Sequence, residues 1–95
     1  MAKRQITLYE AQSSAEQIGL DFEQALFKIE QFMRGMTVEL EHGTIDQRTN
    51  VTNDDLAMTG KIAWAHLLEF PDYYDRLDKM EVEADAFWAG KEAIE

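Results

Sequence analysis

Apolar residues recur along this chain at steps of three and four, the spacing that aligns side chains on one face of an α-helix. Leu8, Ala11, Ala15 and Ile18 form the first such stripe. Thr7 precedes it as a helix cap, and Gly19 follows it as a residue that tolerates the left-handed conformation of a helix end. Leu20 then stands where a Schellman ending wants an apolar residue. Asp21, with Gln24 three residues on, opens a second helix in the manner of a capping box. Its stripe is the longest: Phe22, Leu26, Ile29, Met33, Met36 and Leu40, with Gly43 closing the segment. Gly35 inside it costs about 1 kcal/mol against Ala, which points to a close helix contact there.

Residues 43–51 are polar and longer than an ordinary helix–helix connection. Thr52, with Asp55 three residues on, starts the third helix, whose stripe is Leu56, Gly60, Ala63, Leu67 and Phe70. Pro71 forces a break but is tolerated at a helix start, so the fourth helix follows at once. Tyr73, Leu77, Met80, Ala84 and Phe87 make its stripe, with Trp88 beside it and Gly90 as its end. No alternating strand pattern, hairpin turn or repeat occurs. The chain therefore reads as all-α, a compact bundle of about four helices with a longer polar loop between helices 2 and 3. It forms a single domain over 1–95, with 1–6 and 91–95 frayed. The aromatic residues of the fourth helix are expected in the core. Of Tyr73 and Tyr74, one is expected to pack and the other to hydrogen-bond across the bundle through its hydroxyl.

Composition narrows the function. The chain has 95 residues, no cysteine, and 19 acidic against 9 basic residues for a formal charge of −10. Absence of cysteine excludes disulfides, thiolate metal sites and a cysteine nucleophile. The charge argues against binding a nucleic-acid backbone or an anionic membrane, and no apolar run is long enough to span a bilayer. A basic protein surface is the partner that such a charge favours. Surface acids near the long loop and the fourth helix, Asp46, Asp72, Asp75 and Asp78, are the expected partner-binding residues.

Residues able to carry chemistry are few. The two histidines each stand three residues from a carboxylate, in the pairs Glu39–His42 and His66–Glu69. Such pairs project from one side of a helix, as in carboxylate-bridged metal bundles. No cofactor is expected. As the alternative, Glu39, His42, His66 and Glu69 form a two-histidine, two-carboxylate site for zinc, iron or manganese. That site requires the C-terminal ends of helices 2 and 3 to meet, whereas sequential antiparallel helices hold them apart. A structural histidine bonded to backbone or carboxylate is the plainer reading. No calcium loop, phosphate loop or nucleophile elbow is present, and no catalytic set is formed.

The run Val38, Glu39, Leu40, Glu41, His42, Gly43 is distinctive, as are Thr49 to Asp55, Thr59 to Ala63, and Ala65, His66, Leu67, Glu69, Phe70, Pro71, Asp72, Tyr73, Tyr74 and Leu77. Together, over positions 28–88, they resemble an uncharacterised family of small bacterial and phage proteins, a domain of unknown function. The family pattern reads VELEHG, TNVTNDD and TGKIA-AHL-E-PDYY. The chain departs from it at Leu56, where Pro is expected, and at Trp64. The resemblance brings no catalytic residue or cofactor with it. It implies a phage or mobile-element accessory protein that binds, and in one form inhibits, a host protein in the host cytoplasm. The expected activity is thus protein–protein binding rather than enzymatic.

The stripe assignments carry a direct test. A charged substitution at Met33 or Leu67 is expected to cost several kcal/mol by burying an unpaired charge. A thermal melt identical to the parent chain would contradict them.

Overall fold

The computed structural model describes residues 4–94, with four α-helices and no strand among them. α1 spans Leu8–Ile18, α2 Ile29–Glu39, α3 Leu56–Glu69 and α4 Tyr73–Ile94. Single 3-10 turns at Leu40–His42 and Gln47–Thr49 lie in the connection from α2 to α3. Of the ends expected to fray, residues 1–3 and 95 lie outside the described residues. Ile6 is buried, and its N–H donates to Thr37 Oγ1 at 3.0 Å. α4 continues through Gly90 to Ile94.

α1 forms for the reasons its sequence gives. The Thr7 hydroxyl accepts from the Glu10 N–H, and the Glu10 carboxylate accepts from the Thr7 N–H. This reciprocal box satisfies two helix-end donors. Gly19 takes φ 78°, and the Leu20 N–H reaches back to the Ala15 carbonyl at 2.8 Å. Leu20 is buried, completing the Schellman ending. Ala11, Ser14 and Ala15 are the buried face, while Leu8 stays exposed.

The second helix departs from its predicted start. Residues 21–28 are turns and bends, and α2 begins only at Ile29. Asp21 caps a single turn, accepting from the Glu23 N–H, and that turn does not propagate. The cause is aromatic packing. Phe22 meets Phe27 edge-on at 6.2 Å between ring centroids and Phe32 at 5.7 Å. On one helix these residues, five apart in sequence, would point about 140° away from each other. An irregular segment lets all three rings meet. Phe27 and Phe32 are consequently buried, whereas Leu26, on the predicted stripe, is 88% exposed. In α2 proper, Phe32, Gly35, Met36 and Glu39 face inward, and Ile29 and Met33 flank them half-buried.

α3 also starts later than predicted. Thr52 accepts from the Asp54 N–H, and Asn53 and Asp54 take left-handed φ values of 52° and 64°. Asx residues tolerate that conformation, but a helix cannot run through it. Asp55 is the actual cap, accepting from the Met58 N–H at 2.9 Å. Thr59, Gly60, Ala63 and Leu67 form the buried face.

α2 and α3 run in the same direction. Phe32 lies against Gly60, Gly35 against Ala63, and Glu39 near His66. Parallel neighbours require the chain to travel back the length of α2, about 16 Å, which the long 40–55 connection achieves. That connection holds itself in place. The Val51 and Thr52 N–H groups donate to the His42 carbonyl, and Asp54 accepts from both the backbone and hydroxyl of Thr44.

α4 packs only at its start. Tyr74 is fully buried, and Tyr73 and Leu77 are half-buried against the core. Arg34 of α2 fixes this turn from the side, donating to Asp75 at 2.7 Å and to the Tyr74 carbonyl, and pairing with Asp78. Beyond Leu77 the predicted stripe has no core to meet: Met80, Ala84, Phe87 and Trp88 are exposed. The fourth helix is thus an arm. It gives the molecule a long dimension of 49 Å and a radius of gyration of 14.7 Å, above the roughly 13 Å of a compact chain of this length.

Gly35 sits at the closest helix approach. A Cβ there would stand 2.5 Å from Tyr74 Cε2 and 3.1 Å from Ala63 Cβ. Gly35→Ala gains about 1 kcal/mol of helix propensity but meets an overpacking cost of about 1–3 kcal/mol. The expected outcome is a lowered urea midpoint; an unchanged or raised midpoint would contradict the close approach.

Candidate functional site

The ends of α2 and α3 and the first turn of α4 converge on one side chain. Glu39 is 4% exposed, an unusual place for a carboxyl. Its Oε2 accepts a 2.6 Å hydrogen bond from the Tyr74 hydroxyl, itself fully buried. Its Oε1 lies 3.5 Å from His42 Nε2, and Oε2 lies 3.9 Å from His66 Nε2. His66 Nδ1 faces Glu69 at 3.3 Å, one turn along α3. The His66 ring stacks on Tyr73 with centroids 4.3 Å apart, and Tyr73 meets Tyr74 edge-on at 5.0 Å.

Each position follows from local folding. Glu39 is the last residue of α2 and shares its inward face with Gly35. The 3-10 turn that follows brings His42 back over it. His66 comes from the last turn of α3, and Pro71 lets α4 restart at once with Tyr73 and Tyr74 facing the cluster. Burial pushes the Tyr74 hydroxyl far above the ordinary tyrosine range, and its bond to Glu39 adds to the effect. Tyr73 is raised too, by burial and by the nearby Glu39 and Glu69 carboxyls. Both phenols thus remain proton donors across neutral pH.

The four residues named as metal ligands are therefore brought together, and the objection of antiparallel ends falls away because α2 and α3 are parallel. Their polar atoms are directed at one another and at Tyr74. Glu39 spans His42 with one oxygen and His66 and Tyr74 with the other, and Glu69 addresses the opposite nitrogen of His66. Among the described residues no group of three His, Asp or Glu side chains is placed to hold one metal ion. What the arrangement does is tie α4 to α2 through one buried hydrogen bond, from Tyr74 to Glu39, with the more exposed His42, His66 and Glu69 around it; loss of the Tyr74 donor would be costly.

The four acids expected to bind a partner do not form one patch, and each is paired with arginine inside the chain. Asp46 holds Arg48 at 2.8 Å, and that contact lowers its pKa. Asp72 holds Arg76 at 2.9 Å, with the same effect. Asp75 and Asp78 both engage Arg34. They orient α4 rather than stand apart from the fold. Tyr74, absent from the sequence-derived site residues, is its central donor, and is the one of the two tyrosines that makes the expected hydroxyl bond across the bundle.

A family model described as "Protein of unknown function (DUF5661)" matches residues 11–83. No curated protein and no solved structure matches the chain. No helix among the described residues is long and apolar enough to cross a membrane.

Removing the Tyr74 hydroxyl tests its bond to Glu39. Tyr74→Phe leaves Glu39 buried without its donor, at an expected cost of about 1–3 kcal/mol. The pH dependence has a definite sign. A tyrosine whose folded pKa lies above its unfolded value contributes stability that is present below about pH 10 and lost above it. The parent chain should therefore lose stability above about pH 10 more steeply than Tyr74→Phe. Equal alkaline slopes in chemical denaturation would contradict the buried donor.

Proposed function

The chain belongs to that family of unknown function, and we propose that it acts by binding another protein through the arm of α4. One observation carries the reading: the apolar stripe that docks Tyr73 and Leu77 continues beyond the core, leaving Phe87 56% and Trp88 61% exposed. These rings contact each other edge-on at 5.1 Å, forming one aromatic knob. Scattered exposed apolar residues are ordinary, but a helical stripe of Met80, Ala84, Phe87 and Trp88 matches the anchor spacing of a helix laid into a groove.

Charge specifies the partner. From Asp72 to Glu95 the chain has eight acidic and three basic residues, half its net charge. Glu83 and Asp85 are exposed beside the stripe. The arm suits a protein with an apolar cleft rimmed by lysine or arginine, and its own acidity opposes pairing with a second copy. The contact residues thus move outward from Asp72, Asp75 and Asp78 to Met80, Glu83, Asp85, Phe87 and Trp88. Resemblance to phage-borne proteins supports a finer form of the reading, an accessory protein that occupies or inhibits a host protein in the cytoplasm.

Differential capture tests it. Extract of the cell that makes the chain is passed over the parent chain and over Phe87→Ala and Trp88→Ala, whose exposed positions leave the fold intact. A basic protein retained by the parent should bind either variant roughly thirtyfold more weakly, about 2 kcal/mol. Its retention should fall as salt rises. Equal retention by parent and variants, or retention indifferent to salt, would overturn the reading.

A further inference from the structure

We propose that a second site, which borders the first at Glu69, binds a small organic ammonium ion with an apolar body. The irregular 21–28 segment and α3 border a groove of about 500 Å³, with Pro71 also in its lining. Leu20, Phe27 and Leu67 form its buried surface, and Leu26, Trp64 and Leu68 its outer walls. Leu26 and Leu68 are 88% and 71% exposed, so this apolar surface has no cover among the described residues.

Two features choose the ligand. The first is charge. Asp21 and Glu69 are the only ionisable residues lining the groove, and no lysine, arginine or histidine lines it. An apolar body therefore gains from carrying a cation and loses from carrying an anion. The Trp64 indole in the wall adds a π-face that attracts ammonium groups. The second is size. A volume near 500 Å³ is that of small-molecule sites. The groove lies apart from the α4 arm, so this inference stands or falls independently of the protein-binding reading.

The test compares 4-phenylbutylammonium with 4-phenylbutyrate, which share a body and differ in charge. Binding is measured by calorimetry, and Trp64 emission in the Trp88→Phe chain, where it is the one tryptophan left, locates it. The ammonium ion should bind about tenfold more tightly than the carboxylate, the sum of two exposed charge pairs. Asp21→Asn with Glu69→Gln should remove that preference. Leu68→Glu separates a groove from a merely acidic surface: it adds negative charge yet should abolish binding. Equal affinity for the two probes, no binding of either, or tighter ammonium binding to Leu68→Glu would overturn the proposal.

Discussion

A carboxyl group taken out of water must be hydrogen-bonded, and the bond between Glu39 and Tyr74 is the constraint on which the arrangement of this molecule turns. Glu39 reaches the interior because Gly35 and Gly60 let α2 and α3 approach closely, with Phe32 and Ala63 filling the seam. At the end of that seam the carboxyl needs a donor. Neither α2 nor α3 supplies one directly within hydrogen-bond distance; Tyr74 of α4 does, at 2.6 Å. The fourth helix is thus attached by a polar requirement of α2, and His42, His66 and Glu69 lie around the same carboxyl.

This attachment is short, and its shortness has a functional consequence. Arg34 fixes the direction of α4 through Asp75 and Asp78. Nothing in the core continues to face the helix after Leu77, so its remaining length projects with an apolar stripe and acidic flanks. The region matched by the family ends at Glu83, covering the core and the root of the arm. Ala84, Phe87 and Trp88 lie beyond it. In the proposed function, the buried Glu39–Tyr74 contact is the mount and the arm is the part presented to a partner.

Much of this was legible in the sequence. Thr7, Gly19 and Leu20 announced the limits of α1, because capping chemistry is local. Pro71 announced the restart of the chain into α4 for the same reason. Pairing Glu39 with His42 and His66 with Glu69 marked side chains that the fold does bring near one another, since three-residue spacing on a helix end is a local property as well. Other features were hidden because they depend on partners distant in sequence. Phe22, Leu26 and Ile29 fit a helical stripe, yet Phe22 and Phe27 gain more by meeting Phe32 than by continuing a helix. Thr52 resembled a cap until Asn53 and Asp54 turned left-handed. The stripe of α4 signalled an apolar face correctly, but periodicity does not say whether the surface opposite that face belongs to the same chain. Nor does it say that Asp75 and Asp78 find Arg34 of α2.

Amide hydrogen exchange along α4 separates the mounted turn from the projecting arm residue by residue. Exchange should be slow through the turn that carries Tyr74 and Leu77, and fast from Glu83 to Gly90, as in an isolated short helix. Uniform protection from Tyr73 to Gly90 in the free chain would contradict the projecting arm, since the outer half of α4 would then be held by the fold rather than offered to a partner.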